Sequence, residues 1–331
     1  MLTPPDGLSE ELLVSVLARH WGLEAAAISY RAVGFGSHHW EVTDAAGERW
    51  FLTADELLTR RMSVDEPPEV TVGRLRHALA AAAGLRAEGH RFVVAPVPSG
   101  SGEPAVLAGD AFAVALYPFV AGQSFEWGEF CGEEHRQAVL GLVIGVHTAP
   151  QAVRAHALTD DYAVAHRDEL DVVLARAPDG PAETGPYSGP VRRLVGANTA
   201  AIGLMLSRYD ELAARATAMP ARAVLTHGEP HPGNTMLTRD GWRLIDWDTA
   251  LAAPPERDLW MLDPGDGSVL GTYAAATGVR PLPALLELYR VRWDVADLAI
   301  DVSRFCRPHK GTAEDDQCWQ LLCDLVGQLS A

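Results

Sequence analysis

Two short runs hold the residues best suited to chemistry: Thr226-His227-Gly228-Glu229-Pro230-His231-Pro232-Gly233-Asn234 and Leu244-Ile245-Asp246-Trp247-Asp248. A carboxylate at Glu229, an amide five residues on at Asn234 and a second carboxylate twelve residues later at Asp246 are the parts that phosphoryl transfer needs. One acid would orient an accepting hydroxyl, while the amide and the other acid would hold magnesium through hard oxygen ligands against nucleotide phosphates. Short apolar strands flank the first run and the second is a strand ending in acid, so the expected site lies at strand ends. His227 and His231 read as loop scaffolding, because a histidine in a packed loop usually satisfies backbone groups. No Cys/His spacing points to a transition-metal site.

These parts need a scaffold. Leu12, Leu13, Val16, Leu17 and Trp21 recur at helical spacing before Gly22, predicting a helix over 10–22. Ser37–Thr43 and Glu48–Thr53, joined by Asp44-Ala45-Ala46-Gly47, read as a hairpin, with Arg91–Val97 and Ala111–Leu116 as further strands and Arg74–Leu85 as a crossing helix. Tyr117–Gly122 breaks both periodicities, as a hinge would. Beyond it, His135–His147, Pro190–Ala218 and Ala284–Phe305 read as helices, Asp179–Pro190 as a Pro/Gly-rich connector, and the two chemical runs as a compact β-rich insert. The expectation is an α+β, bilobal architecture: a small β-rich N-terminal lobe over 1–116, a hinge over 117–122 and a larger, mainly helical lobe over 123–331.

Composition narrows the partners. The 331 residues are 48% hydrophobic, enough for a packed core without staples. Forty-four acidic against 27 basic residues give a net charge of −17, which repels nucleic acid and anionic lipid and attracts a cationic small molecule. Every basic residue except Lys310 is arginine. The four cysteines are too few for a disulfide framework and read as reduced packing thiols. The N-terminus lacks a basic segment followed by an apolar run, and no stretch of about 20 uninterrupted apolar residues exists, so a cytoplasmic protein is expected. Oligomeric state is not assigned.

The run HGEPHPGN followed by LIDWD resembles the aminoglycoside phosphotransferase family, whose members share the bilobal protein-kinase fold. Phe112–Val120 is similar to that family's last N-lobe strand and hinge, and Pro254–Leu259 to the stretch whose Arg-Asp pair braces the catalytic loop, which implies a structural role for Asp258. The ALYPF hinge, IDWD followed by APPERDL, and the LYRVRWDVADLA helix most resemble the spectinomycin phosphotransferase branch, which acts on a cationic aminocyclitol. The resemblance implies ATP or GTP with magnesium as cofactors. It places Glu229 as catalytic acid, Asn234 and Asp246 at the metal, and the Tyr117-Pro118-Phe119 backbone at the base.

Three departures bear on activity. Position 229 is Glu where the family usually has Asp, moving the carboxylate outward by one methylene. Thr53 ends the third strand where the family's phosphate-pairing lysine normally stands, so Arg60 or Arg61 is the nearest substitute charge, and Glu66 or Glu69 the nearest candidate for that lysine's partner. The glycine loop is reduced to Gly34-Phe35-Gly36-Ser37, which could cover phosphate through backbone N–H groups.

A cationic acceptor needs acids. On the helix over 284–305, Asp294, Asp297 and Asp301 follow one flank, one position before the apolar stripe Val295, Leu298 and Val302. Asp248 is a further candidate, and Trp127 and Trp247 could form apolar walls. The leading expectation is an O-phosphotransferase for an aminocyclitol or aminoglycoside antibiotic. A kinase for another small metabolite, such as choline or a sugar, shares the loop, and a catalytically weak, pseudokinase-like binding module is the reading from another class.

Overall fold

The computed structural model describes residues 1–176, 184–219 and 222–329. The first helix, α1 (Glu10–Trp21), starts at Ser9, whose side chain accepts the Leu12 N–H, and stops at Gly22 in the left-handed conformation. Then come β1 (Ala25–Arg31), β2 (Ser37–Asp44), β3 (Arg49–Glu56), α2 (Leu57–Arg60), α3 (Pro68–Ala87), β4 (Val106–Ala108) and β5 (Phe112–Pro118). The strands form an antiparallel sheet in the order β1-β2-β3-β5-β4. Period-two alternation divides its faces. Trp40, Val42, Leu52, Ala54, Val114 and Leu116 pack on α1. Ala113 and Ala115 turn to the other side, beneath Leu75, Leu79 and Ala82 of α3. Thr53 lies opposite Ala115 and Asp55 opposite Ala113, so both share the α3 face.

The second lobe contains β6 (Gln123–Ser124), α4 (Glu133–His147), α5 (Gln151–Arg154), α6 (Arg167–Arg176), α7 (Ser188–Ala197) and α8 (Thr199–Thr217). After these come β7 (Val224–Thr226), β8 (Thr235–Thr238), β9 (Gly241–Leu244) and β10 (Leu251–Ala253), then α9 (Glu256–Leu262), α10 (Ser268–Thr277), α11 (Pro283–Cys306) and α12 (Ala313–Leu329). Small sheets β10-β7 and β6-β8-β9 form the insert. The stripe of α11, including Leu288, Val295, Leu298, Val302 and Phe305, joins α6, α7, α8 and α12 in the lobe's main core. Among the described residues no helix is long and apolar enough to cross a membrane.

Several expectations are corrected. Arg91–Val97 is not a strand; Val93 makes one parallel bridge to Leu244, and Val94 and Phe92 exchange backbone hydrogen bonds with Leu244, tying the N-terminal lobe to the insert. The helix expected over 190–218 is two helices. Asn198, at φ −116° and ψ 15°, ends α7, and α8 starts at the next residue. Part of the connector, 179–183, lies outside the described residues, and from Ser188 the chain is already helical. Cys131 is exposed rather than packed, although all four cysteines are unpaired thiols.

A polar clasp joins the lobes beside α2. The buried His166 makes contacts with the Thr59 carbonyl through Nε2 (3.0 Å) and with the Glu169 carboxylate through Nδ1 (2.9 Å). Glu169 also accepts from Ser303 Oγ at 2.7 Å and lies 3.6 Å from Arg61. Arg307 donates to the Leu58 carbonyl. Burial alone would raise the Glu169 pKa, but its hydrogen bonds from His166 and Ser303 outweigh that and hold it low. Its stabilising contribution is therefore present above the ordinary glutamate range and lost as pH falls through the depressed pKa. Glu169→Ala should destabilise the fold by about 2 kcal/mol, because it removes the acceptor shared by the His166 ring and the Ser303 hydroxyl and the charge facing Arg61. Urea unfolding at neutral pH checks this; a change below about 0.5 kcal/mol would make the clasp a surface contact.

Candidate active site

The loop after β7 is fixed from below. Asp258, near the start of α9, is fully buried, and its carboxylate accepts the N–H groups of His227 (2.9 Å) and Gly228 (2.6 Å) and faces His147 Nε2 at 3.0 Å. Burial would raise its pKa, yet the His147 hydrogen bond, with the charges of His147 and Arg257, prevails and lowers it. Gly228 sits at φ +105°, and a Cβ there would fall 2.5 Å from the Arg257 guanidinium, so only glycine fits. Arg257 in turn donates to Thr226 Oγ1 and the Thr249 carbonyl. His227 donates from Nε2 to the Ile245 carbonyl and accepts the Glu229 N–H at Nδ1. That pattern requires the neutral ring, in line with the burial that lowers its pKa. The histidine is scaffolding.

This scaffold brings the chemical residues together. Asn234 closes a short turn at Pro232–Asn234, and its carbonyl accepts the Ile245 N–H, setting it beside Asp246. Its side-chain Nδ2 donates to the Glu229 carbonyl at 3.0 Å and lies 3.2 Å from His231 Nε2. With the nitrogen committed, Oδ1 is the atom left to offer. Asp246 adopts φ 62°, a left-handed conformation that costs a non-glycine residue about 1–2 kcal/mol. Water reaches Asp246, but the surrounding protein strips enough of its hydration, with Asp248 and Glu229 adding repulsion, to push its pKa well up despite Arg60. A carboxylate so placed favours a cation. Asn234 Oδ1 and Asp246 are hard oxygen donors of the kind that would hold a magnesium ion. Among the described residues no cluster of three His, Cys, Asp or Glu forms a metal cage.

Arg60 is the cation that faces these acids among the described residues. Arg60 Nη2 donates to Ser37 Oγ (3.0 Å), pairs with Asp55 Oδ1 (2.7 Å) and closes on Asp248 Oδ2. Ser37 Oγ itself donates to Asp55 at 2.7 Å. Burial would lower the Arg60 pKa, but Asp248 and Asp55 raise it further, so the charge is permanent. Its Nε is buried without an acceptor among the described residues. Asp55 is pushed up by burial and Asp248 even beside Arg60. Arg61, by contrast, is spent on the Val64 carbonyl and Glu169. Glu66 accepts from Arg74, Thr71 and the Met62 N–H, and Glu69 is exposed, so neither serves as partner of a substitute charge.

At the hinge, Phe119 donates its N–H to the Arg49 carbonyl, and the Arg49 guanidinium covers the Phe119 ring at 3.5 Å. Pro118 has no N–H, so neither residue can donate to a base. Tyr117 reaches into the cleft instead. Its hydroxyl interacts with Thr53, and burial followed by the charges of Asp55, Asp246 and Asp248 raises its pKa well above the ordinary value. Gly34 (φ +69°) and Gly36 (φ +84°) form the turn between β1 and β2.

The acids of α11 are not equivalent. Water reaches Asp297, but the surrounding protein strips enough hydration, with Asp301, Glu229 and Asp294 adding repulsion, to push its pKa up to about 7. Asp301 also rises to about 7, mainly through burial, and its carboxylate interacts with Cys318. Asp294 is raised by burial and opposed by Arg290. Only for Asp297 is Glu229 among the causes. Asp248 is Arg60's partner rather than an open substrate acid. Trp247 is fully buried, its Nε1 donating to the Leu244 carbonyl, and forms no cleft wall. Trp127 is 68% exposed beside His231. Asp55 and the Tyr117 side chain were not anticipated; two-residue periodicity from Thr53 was the signal for Asp55.

A small antiparallel sheet lobe over a larger helical lobe, with an acid, an amide and a second acid at the ends of insert strands, defines the protein-kinase-like phosphotransferase class. The chain belongs to the APH phosphotransferase enzyme family, whose model matches residues 28–289. Protein StrN of Streptomyces griseus is 30% identical over 243 residues, 72% of each chain. The spectinomycin phosphotransferase APH(9)-Ia, solved with ADP and spectinomycin, shares the fold at TM-score 0.68 and 15% identity, covering 98% of this chain and 99% of that one. A microcompartment-associated aminopropanol kinase does so at TM-score 0.59 and 16% identity, covering 97% of both.

Proposed function

We propose that this phosphotransferase uses magnesium and ATP or GTP to phosphorylate a hydroxyl of a cationic aminocyclitol or aminoglycoside. The observation that carries the reading is the rigid juxtaposition of Glu229, Asn234 and Asp246, with Asp297 electrostatically linked to Glu229 from α11. Glu229 takes the proton of the acceptor hydroxyl as its oxygen bonds to the γ-phosphorus. The bridging oxygen leaves with the nucleoside diphosphate. Asn234 and Asp246 would hold magnesium, which when bound neutralises charge on the transferring phosphate. Arg60 supplies the phosphate-facing charge in place of a lysine at 53. Beyond the strand, Val120 is the next hinge N–H for a base, with the Pro118 carbonyl. Gly34, Gly36 and Ser37 cover the phosphates. Asp297, with Asp294 and Asp301 on its flank and Trp127 as a wall, receives the ammonium groups. The fold neighbour solved with ADP and spectinomycin supports this class of acceptor.

Mass spectrometry of an acceptor panel (aminocyclitols, aminoglycosides, choline, amino alcohols and sugars) with either nucleotide and magnesium tests the reading. A phosphoryl gain of about 80 Da on an aminocyclitol or aminoglycoside is expected. Transfer only to choline, an amino alcohol or a sugar would replace the acceptor class, and nucleotide binding without any transfer would make the chain a binding module. Asp246→Ala should abolish transfer, and Glu229→Gln should lower kcat at least about 100-fold with nucleotide affinity unchanged.

Arg60→Ala should weaken ATP binding at least about tenfold, the worth of a charge-assisted hydrogen bond, while adenosine affinity barely moves. Arg61→Ala should alter neither. Calorimetry with both ligands checks the contrast, and equal loss for adenosine would remove the phosphate assignment.

A raised carboxyl pKa means that stability is complete below the unfolded aspartate range and declines as pH rises through about 7 for Asp297. Cation binding runs the other way. For an acceptor whose amines stay protonated, KM should fall as pH rises through about 7, and Asp297→Asn should flatten that profile. A pH-independent KM in the native protein would place the ammonium elsewhere.

A further inference from the structure

The turn that carries Asn234 is braced by a side chain from a different part of the lobe. His135, in the first turn of α4, is 2% exposed and sits among Phe125, Phe130 and Trp242. Its ring stacks on Trp242 at 4.4 Å with 13° between planes. Its two nitrogens have separate tasks. Thr235 Oγ1 donates its only proton to the Pro232 carbonyl at 2.7 Å, so the 2.9 Å contact between His135 Nε2 and Thr235 Oγ1 must be donation from the ring. Nδ1 then accepts the Cys131 N–H at 3.4 Å. One neutral tautomer satisfies every bond, and burial favours the neutral form by lowering the His135 pKa.

The chain His135 Nε2–H to Thr235 Oγ1–H to Pro232 carbonyl ends on the turn Pro232–Asn234. Thr235, fully buried, adds its backbone N–H to the same carbonyl. The imidazole therefore ties together the 125–131 segment, β9 and this turn. The backbone N–H of Trp127, in that segment, would lie 3.3 Å from a Cβ at Gly233, so segment and turn are packed against each other. A phenylalanine would fill the aromatic pocket without desolvating polar atoms, and the histidine's cost is offset by what its two bonds fix.

We propose that His135 is a positioning residue for phosphoryl transfer, acting through Thr235 to hold the Asn234 amide oxygen where a divalent cation is bound. This rests on the assignment of Asn234 and Asp246 under the proposed function. The step involves no transfer of a proton to or from substrate; the chain is a static brace that sets ligand geometry.

Manganese replaces magnesium as a paramagnetic probe, its binding to the protein-nucleotide complex read by electron paramagnetic resonance without turnover. His135→Phe, which keeps the ring stack and loses both bonds, should raise the manganese concentration for half-occupancy at least about tenfold, as loss of an outer-shell hydrogen bond does at metal sites. Metal-free nucleotide affinity should stay within about twofold, because the brace does not touch nucleotide. His135→Gln, whose amide can donate from the Nε2 position, should recover most of the loss. Thr235→Val should reproduce His135→Phe, and the double variant should be no worse than the more affected single one, as expected for two members of one chain. Wild-type manganese affinity in His135→Phe or in Thr235→Val would overturn the proposal. So would equal losses in His135→Phe and His135→Gln that track a fall in melting temperature. If the native protein binds nucleotide but no manganese with it, both the metal assignment and this proposal fail. Native binding with no effect of the variants overturns this proposal alone.

Discussion

A carboxylate sealed from water stays ionised only if hydrogen-bond donors replace its hydration, and Asp258 meets that demand with two consecutive backbone N–H groups, His227 and Gly228, and the His147 ring. Those bonds require the loop backbone to curl over one oxygen pair, which puts Gly228 at a positive φ against Arg257. Glu229 follows immediately and emerges on the far side, toward the cleft. Its carbonyl then orients the Asn234 amide, and the Asn234 carbonyl takes the Ile245 N–H just before Asp246. A buried anion in α9 thus sets the direction of Glu229, Asn234 and Asp246, without touching metal or substrate.

The cleft is short of positive charge. Asp55, Asp246 and Asp248 gather around Arg60, with Glu229 acting on Asp246, and Asp55 and Asp246 have raised pKa values even with the guanidinium present. Adding nucleotide phosphates to such a site without cations would be repulsive, which is why an oxygen-liganded divalent ion suits the Asn234 and Asp246 pair. Farther along the cleft, Asp297 is raised in part by Glu229, so the same shortage extends to where an acceptor would lie. An ammonium group there relieves repulsion that the folded chain cannot relieve itself.

The strongly periodic parts of the fold were legible. The stripe of α11, the hairpin of β2 and β3 and the end of α1 at Gly22 follow from local pattern. β1 was not legible, because its Ala25–Arg31 run is mostly exposed at the sheet edge and pairs only with β2. Arg91–Val97 reads as a strand from its apolar and β-branched residues, but Phe92–Val94 pairs with the single residue Leu244 of the insert, a long-range contact that no local pattern encodes. At the site, Glu229, Asn234 and Asp246 were readable from type and spacing. That Asp248 faces Arg60 rather than substrate was not, because it depends on how the two lobes meet.

That meeting of lobes bears on the missing lysine. A lysine at position 53 would be carried by the sheet, whose register with β5 holds it opposite Ala115. Thr53 instead interacts with the Tyr117 hydroxyl, which takes up space on that face. Arg60 comes from α2, outside the sheet, and α2 is held from the other lobe by His166 at the Thr59 carbonyl and by Arg307 at the Leu58 carbonyl. Its guanidinium is further anchored to Asp55 of its own lobe and Asp248 of the other. The substitute charge therefore keeps its place only while α2 remains braced against α6 and α11. A polar contact network far from any phosphate becomes part of what positions the cation there.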